Sequence, residues 1–261
     1  METERRETTL PAAEIDELRR LIDAVSGEPG AGVPLSAPLL LFSHLDADRR
    51  HALFAVPPDR VLVQEHLLLE TRRRLRVDEP ITVVSRLIAP AGDGAPCRIE
   101  VDLLDRAGET IAEIRTALRA VPAGSLAASH GLPLSRAGTP SDTVRRRTNV
   151  LDEGLVGRWV RLVGDDNPVH VDADYARGLG LAGAVVPGAL LAVAAEAFVG
   201  PIGEAERLRL NMRFTGPMPV GRAAQVESRA RPTPADAHRR DLRLLFAADD
   251  RIAAVADIVV G

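Results

Sequence analysis

The spacing of apolar residues changes along the chain and predicts helices followed by strands. In residues 12–25 the apolar positions recur every three or four residues, which is the pattern of an amphipathic helix. A short apolar stretch at 39–45 follows two prolines and predicts the start of a second helix. The pattern then becomes typical of strands joined by polar or glycine-containing turns, which favours an antiparallel sheet. Four strands are predicted in this half, over residues 65–75, 80–88, 98–104 and 110–118.

The second half of the chain repeats this order. Glu65 aligns with Glu206 and Asp105 with Ala248, so corresponding segments are offset by 141 to 143 residues. We therefore expect two copies of one unit, in which helices precede an antiparallel sheet. The predicted helices cover residues 151–163, 172–179 and 187–199, and the predicted strands cover 207–214, 222–231, 239–247 and 251–260.

The segment between the two halves is rich in proline, glycine, serine, alanine and threonine. We expect a linker over residues 122–147, which separates a first repeat over 1–121 from a second repeat over 148–261. Three consecutive arginines, Arg145 to Arg147, close this segment, and we expect them to lie on a solvent-exposed strand edge.

The composition excludes several classes of function. The 261 residues carry 33 basic and 37 acidic side chains, and the net charge of −4 does not favour binding of nucleic acid. Only 3% of the residues are aromatic, which leaves few side chains on which bases could stack. The chain has no lysine, which excludes a Schiff base and a Walker-type phosphate loop. The single cysteine excludes a disulfide within the chain. The six histidines are scattered and do not have the spacing of a zinc site, so no metal is expected.

The N-terminal residues and the longest apolar run bear on location. No apolar stretch follows the charged N-terminus, which argues against a secretory signal. The run at 182–199 is interrupted by glycine, proline and glutamate, which predicts a buried helix and no membrane span. We expect a soluble, cytoplasmic protein.

The chemically informative segment lies between two predicted helices of the second half. It brings Asp165, Asp166, Asn167 and His170 together across a turn that begins at Gly164. A carboxylate and an imidazole five residues apart can face one small space and hold a water molecule, as general acid–base catalysis requires. A structural interpretation is also open: Asp172 is expected to cap the following helix, and Asp166 to face solvent.

The sequence Gly164-Asp-Asp-Asn-Pro-Val-His-Val-Asp172, with Ala176, resembles the hydratase-2 motif of the MaoC-like dehydratases, a hot-dog-fold family. Residues 183–191 resemble the entry into the central helix of that family, and residues 213–221 its following strand and turn. The likeness covers residues 150–260 well, and residues 12–121 only loosely resemble the first repeat of double-hot-dog members. It implies an α+β fold in which an antiparallel sheet wraps a central helix twice.

The resemblance also implies an activity. It points to reversible hydration of a trans-2-enoyl thioester to an (R)-3-hydroxyacyl thioester, with Asp165 and His170 as the catalytic pair and no cofactor. Gly164 would support the loop, and Asn167 would brace it or reach the water. The backbone N–H of Gly188 would polarise the thioester carbonyl. The expected ligand is an acyl-CoA or acyl-carrier-protein thioester. No nucleic acid or membrane partner is expected.

The sequence departs from the family pattern at three positions. Val163 stands where serine is usual, Pro187 where many members have histidine, and Val193 where some have serine. We expect these changes to affect the supporting polar groups and the range of substrates. Arginines are the expected partners of a substrate phosphate. The candidates are Arg145, Arg146, Arg147, Arg177, Arg213 and Arg222.

The first half has no equivalent motif, so one active site per chain is expected. His44 and His51 are assigned to a helix surface and His66 to a strand. The first repeat is expected to act as a scaffold, whose degenerate central helix leaves room for a long acyl chain.

Two other functions stay open on the sequence. One is a non-catalytic acyl-thioester-binding partner of another hot-dog chain, and the other is a hot-dog thioesterase. A homodimer and a hetero-oligomer with another hot-dog chain are also both open.

Overall fold

In the part of the chain that the structure describes, eleven strands form one antiparallel sheet. The computed structural model describes residues 2–30, 32–41, 59–92, 95–128, 130–135, 142–165, 167–199, 207–231 and 239–261. The first half contains β1 (Glu2–Thr8), β2 (Arg60–Thr71), β3 (Ile81–Ile88), β4 (Cys97–Leu104) and β5 (Thr110–Pro122). The second half contains β6 (Leu132–Pro133), β7 (Val144–Leu151), β8 (Leu208–Phe214), β9 (Arg222–Ala230), β10 (Arg240–Ala248) and β11 (Arg251–Val260).

The helices lie mainly on one face of this sheet. They are α1 (Ala12–Ser26), α2 (Pro38–Leu41), α3 (Glu153–Val163), α4 (Ala173–Gly178) and α5 (Gly188–Ala197), with 3-10 turns at Ala123–Ala128 and Pro168–His170. Every residue of α5 from Leu190 to Glu196 is buried, and the helix packs against β2, β8 and β11. Of the described helices, none is long and apolar enough to cross a membrane.

The strand order shows that the two halves are related by a pseudo-twofold axis. The order is β1-β3-β4-β5-β2 in the first half and, continuing across the sheet, β8-β11-β10-β9-β7 in the second. Apart from the two-residue β6, which pairs with β11, each strand of one half therefore has a counterpart in the mirrored position of the other. The two expected sheets are joined into one because β2 pairs antiparallel with β8.

The pairing of β2 with β8 buries one face of each strand against the helices. Leu67 lies opposite Met212 and Leu69 opposite Leu210, and all four side chains belong to the main core. On the outer face, His66 Nε2 lies 2.6 Å from Asn211 Oδ1. We call the Leu67-bearing face of the sheet the inner face and the His66-bearing face the outer face.

The predicted helices and strands of both halves are confirmed, with differences of a few residues at their ends. β2 differs most, since it begins at Arg60 and ends at Thr71. The described part of the predicted helix at 39–45 is helical as far as Leu41. The rest of that helix lies outside the described residues, as do His44 and His51.

Two strands, β1 and β6, were not predicted, and only the Arg145 to Arg147 part of β7 was expected to be a strand edge. β1 carries no apolar residue, so its sequence lacks the alternation that marks a strand, although it pairs along its length with β3. Within 122–147, Ala123–Ala128 forms a 3-10 turn, β6 pairs with β11, and β7 begins at Val144. The prediction for Arg145 to Arg147 is confirmed, since β7 is the edge strand and all three are exposed.

A buried carboxylate ties α5 to the first half. Glu196 accepts hydrogen bonds from the backbone N–H of Leu35 and of Ser36, both at 2.8 Å, and from Ser36 Oγ at 2.6 Å. Burial raises the pKa of the Glu196 carboxyl, and the hydrogen bonds from Ser36 and Leu35 oppose that rise. The end of the central helix is thereby fixed to the turn that leads into α2.

We predict that Glu196→Ala lowers the free energy of unfolding by about 3–5 kcal/mol, because three buried donors lose their acceptor. Urea denaturation monitored by circular dichroism measures the change. Glu28→Ala is the matched control, since Glu28 is exposed, and we expect it to stay within about 0.5 kcal/mol of the wild type. Equal stability of the two variants would contradict the assigned role of Glu196.

Candidate active site

The candidate site begins where α3 ends. Asp152 caps the start of α3 by accepting from the Leu155 N–H at 2.8 Å. Gly164 ends the helix in the left-handed conformation, with φ of 60°, which glycine adopts at little cost. The Asp165 N–H donates to the Val160 carbonyl at 3.0 Å, so the loop leaves the helix in a fixed direction.

Short polar side chains shape the loop between Asp165 and His170. Asp165 Oδ1 accepts from the Asn167 N–H at 3.1 Å, and Asn167 Oδ1 accepts from the Val169 N–H at 3.2 Å. These contacts are the local side-chain-to-backbone bonds that favour turns. Pro168 then opens the 3-10 turn that carries His170. Asn167 therefore contributes to the shape of the loop through its side chain.

The ring of His170 is oriented by a backbone carbonyl. Its Nδ1 lies 2.8 Å from the Val185 carbonyl oxygen, and a carbonyl can only accept, so Nδ1 carries the proton. In the neutral ring, Nε2 is then the acceptor. The Val185 N–H donates to the Val169 carbonyl at 3.1 Å, which fixes this segment beside the loop.

The structure brings Asp165 and His170 together. Asp165 Oδ2 lies 3.6 Å from His170 Nε2, with 29% and 13% of the two side chains exposed. A carboxylate and an unprotonated ring nitrogen both accept hydrogen bonds. Two acceptors at this separation match a molecule that donates to both, as water does.

The N-terminus of α5 lies close to this pair along the chain. The Val186 N–H donates to the Met218 carbonyl at 2.8 Å. Pro187 occupies the N-cap position of α5, and Gly188 is the first residue of the helix. The first N–H groups of a helix have no acceptor within the helix and carry partial positive charge. Gly188 is the third residue after Val185, which limits the distance between their backbones to about 11 Å.

Gly188 is in close contact with the ends of two side chains. A Cβ at this position would lie 2.4 Å from Gln64 Oε1 and 2.7 Å from Phe214 Cζ. Phe214 is the last residue of β8, whereas Gln64 comes from β2 in the first half. Sequence reasoning missed Gln64, because the predicted strand began one residue later and no motif includes this position.

Other predicted residues have structural partners. Asp172 caps α4 by accepting from the N–H groups of Asp174 and Tyr175, both at 2.9 Å, which confirms the structural interpretation of that residue. Asp166 lies outside the described residues. Within the described part of the chain, no three His, Cys, Asp or Glu side chains are arranged to hold a metal ion.

The candidate phosphate-binding arginines do not form one cluster. Arg177 pairs with Asp174, and Arg145 donates to Glu227 at 3.0 Å. Arg213 lies opposite His66 and therefore on the outer face, away from α5. A phosphate-binding role for any of the six arginines stays a prediction.

Known proteins resemble this chain in structure but not in sequence. No family model and no curated protein matches the sequence. HtdX of Mycobacterium tuberculosis is 16% identical with a TM-score of 0.69, and the alignment covers 98% of this chain and 99% of HtdX. A MaoC-like dehydratase from Phytophthora capsici is 14% identical with a TM-score of 0.67, covering 98% and 95%.

A thioesterase shares the same architecture. The 12:0-ACP thioesterase from Umbellularia californica is 11% identical with a TM-score of 0.59, covering 99% of this chain and 94% of its own. Identities this low establish the fold alone. The chain has an α+β hot-dog fold over nearly its whole length, as the resemblance to MaoC-like dehydratases implied.

We predict that Gly188→Ala destabilises the protein by about 1–3 kcal/mol, because the added methyl group overpacks the contact with Gln64 and Phe214. Thermal or urea unfolding measures the change. Gly157→Ala, in the middle of α3, is the control, because the nearest atom to its Cβ would be Arg161 Nη1 at an ordinary 3.4 Å. That variant should gain about 0.5–1 kcal/mol from the better helix former. A gain of the same size at Gly188 would contradict the packing argument.

Proposed function

We propose that this protein catalyses the reversible hydration of a 2-enoyl thioester to an (R)-3-hydroxyacyl thioester, with Asp165 and His170 acting on one bound water. The observation that carries the proposal is the 3.6 Å separation of Asp165 Oδ2 from His170 Nε2, together with the Val185 carbonyl that keeps the ring proton on Nδ1. The presence of a MaoC-like dehydratase among proteins of the same fold supports it.

The residues divide the reaction between proton transfer and charge stabilisation. The pair takes up one proton of the water as the water oxygen bonds to C3 of the enoyl group, and it returns one proton to C2, so no net proton is gained. Between these steps, negative charge develops on the thioester oxygen. The N–H of Gly188 at the α5 N-terminus stabilises that charge, and the dehydration direction uses the same groups in reverse.

The proposed ligand is a thioester of coenzyme A or of an acyl carrier protein. Both carry the same pantetheine arm next to the sulfur, so the site chemistry is shared. The first half, which lacks the Gly-Asp-x-Asn-Pro-x-His motif, completes the sheet and supplies Gln64 beside Gly188. One such site per chain is part of the proposal, and a homodimer or a hetero-oligomer is compatible with it.

A thioesterase is the second candidate, and the likeness to the 12:0-ACP thioesterase favours it. In that reaction the same pair would direct water onto the thioester carbonyl carbon and release the thiol. Hydration leaves the thioester intact and removes the conjugated double bond. A thiol reagent therefore detects hydrolysis, and loss of the enoyl absorbance detects hydration, so one assay with both readouts distinguishes the two reactions.

We predict that Asp165→Asn and His170→Ala each lower the hydration rate at least about 100-fold, because each removes one of the two acceptors that hold the water. Loss of enoyl absorbance with a series of 2-enoyl-CoA chain lengths measures the rate. Thermal midpoints should stay within about 4 °C of the wild type, since both side chains are partly exposed.

Asp174→Asn is the control for this pair of variants. Asp174 lies in the same region, but its side chain is 91% exposed and its partner is Arg177. We expect it to retain wild-type activity. Wild-type rates in Asp165→Asn across all substrates that the parent converts would refute the assignment of the pair.

A further inference from the structure

A β-bulge in β2 turns one side chain of the first half toward the helices. Gln64 is paired with Leu118 and His66 with Ala117, so Glu65 is the extra residue. Leu118 belongs to the core and lies on the inner face, and paired residues project from the same face of a sheet. The bulge therefore puts Gln64 on the inner face and His66 on the outer face, which regular alternation would not allow.

Hydrogen bonds fix the orientation of the Gln64 amide. The buried Thr116 Oγ1 donates to the His66 carbonyl at 2.8 Å and therefore has no proton left for Gln64. It accepts from Gln64 Nε2 at 2.9 Å. The amide nitrogen thus faces Thr116, and Oε1 is the atom that lies against Gly188.

This oxygen lies at the N-terminus of α5 and can be reached from solvent. Gln64, Gly188 and Phe214 are each only half-buried. Among the residues that the structure describes, none donates a hydrogen bond to Oε1. An oriented acceptor without a donor partner, beside the N–H groups assigned to the thioester oxygen, is arranged to receive a donor from a ligand.

We infer that Gln64 is a specificity residue that accepts a hydrogen bond from the first amide N–H of the pantetheine arm. The inference rests on the proposed function, which puts the thioester oxygen at Gly188. A thioester group has no donor of its own, and the 3-hydroxyl occupies the position of the water held by Asp165 and His170. The nearest remaining donor is the first amide N–H of the pantetheine arm. In both coenzyme A and carrier-protein thioesters, this N–H is two methylene groups away from the sulfur.

The test uses two small thioesters that differ in this one group. Butanoyl N-acetylcysteamine carries the amide, and its ketone isostere has a methylene group in place of the N–H. Neither has a double bond to hydrate, so NMR titration gives their Kd values without turnover. We expect the wild type to bind the amide about tenfold more tightly than the ketone, because one hydrogen bond contributes a difference in affinity of about that size.

Gln64→Leu should weaken binding of the amide about tenfold and leave the ketone unchanged, so that the preference disappears. Thr116→Val removes the partner of Gln64 Nε2 and so frees the Gln64 side-chain amide to rotate. This variant should also lower the preference for the amide ligand over the ketone. It tests the inference even where Gln64→Leu does not fold. Gln225→Leu, on β9, is the matched control and should keep the wild-type ratio. The 2-butenoyl forms of the two thioesters should show the same ratios in kcat/KM.

The outcomes separate this inference from the proposed function. A wild-type ratio near one, or a ratio that Gln64→Leu and Thr116→Val leave unchanged, would overturn the role of Gln64 whether or not the protein hydrates enoyl thioesters. An equal loss of affinity for both ligands in Gln64→Leu would assign a purely structural role. A Gln64-dependent preference without hydration would support the binding role and count against the proposed reaction alone.

Discussion

The pairing of β2 with β8 is the contact on which the rest of the structure depends. It joins the five strands of the first half and the six of the second into one sheet, and it buries Leu67 and Met212 beneath the helices. Because side chains alternate between faces, a slip of one residue in this register would turn those side chains to the outer face. The same register sets β2 beside the first turn of α5, so it also determines which side chains surround Gly188.

The candidate site is assembled from three parts of the fold, each held by backbone contacts. The α3 terminus and the Asx-type turns hold Asp165, and the Val185 carbonyl holds the His170 ring. The first turn of α5 presents Gly188, against which Gln64 of the other half is packed. In the proposed function, general acid–base catalysis on water, charge stabilisation at a helix N-terminus and ligand recognition would come from these separate elements. The sheet holds the elements together.

Much of this arrangement could be predicted from the sequence, and the failures have physical causes. The second-half helices and the strands β8 to β11 were predicted closely, because their buried faces impose clear helical and strand periods. The five-residue spacing of Asp165 and His170 predicted their proximity. β1 was missed because an edge strand can be wholly polar. Gln64 was missed because a bulge leaves no mark in the pattern of apolar residues. The His170 tautomer could not be predicted, since it depends on Val185, fifteen residues away.

The central claim, that Asp165 and His170 add water to C3 of an enoyl thioester, is tested most directly by the fate of labelled oxygen. The protein is incubated with a 2-enoyl-CoA in water enriched in oxygen-18, and the products are analysed by mass spectrometry. The account predicts one labelled oxygen at C3 of an intact 3-hydroxyacyl thioester. Label in a free carboxylate, with release of the thiol, would contradict it and assign the site to thioester hydrolysis.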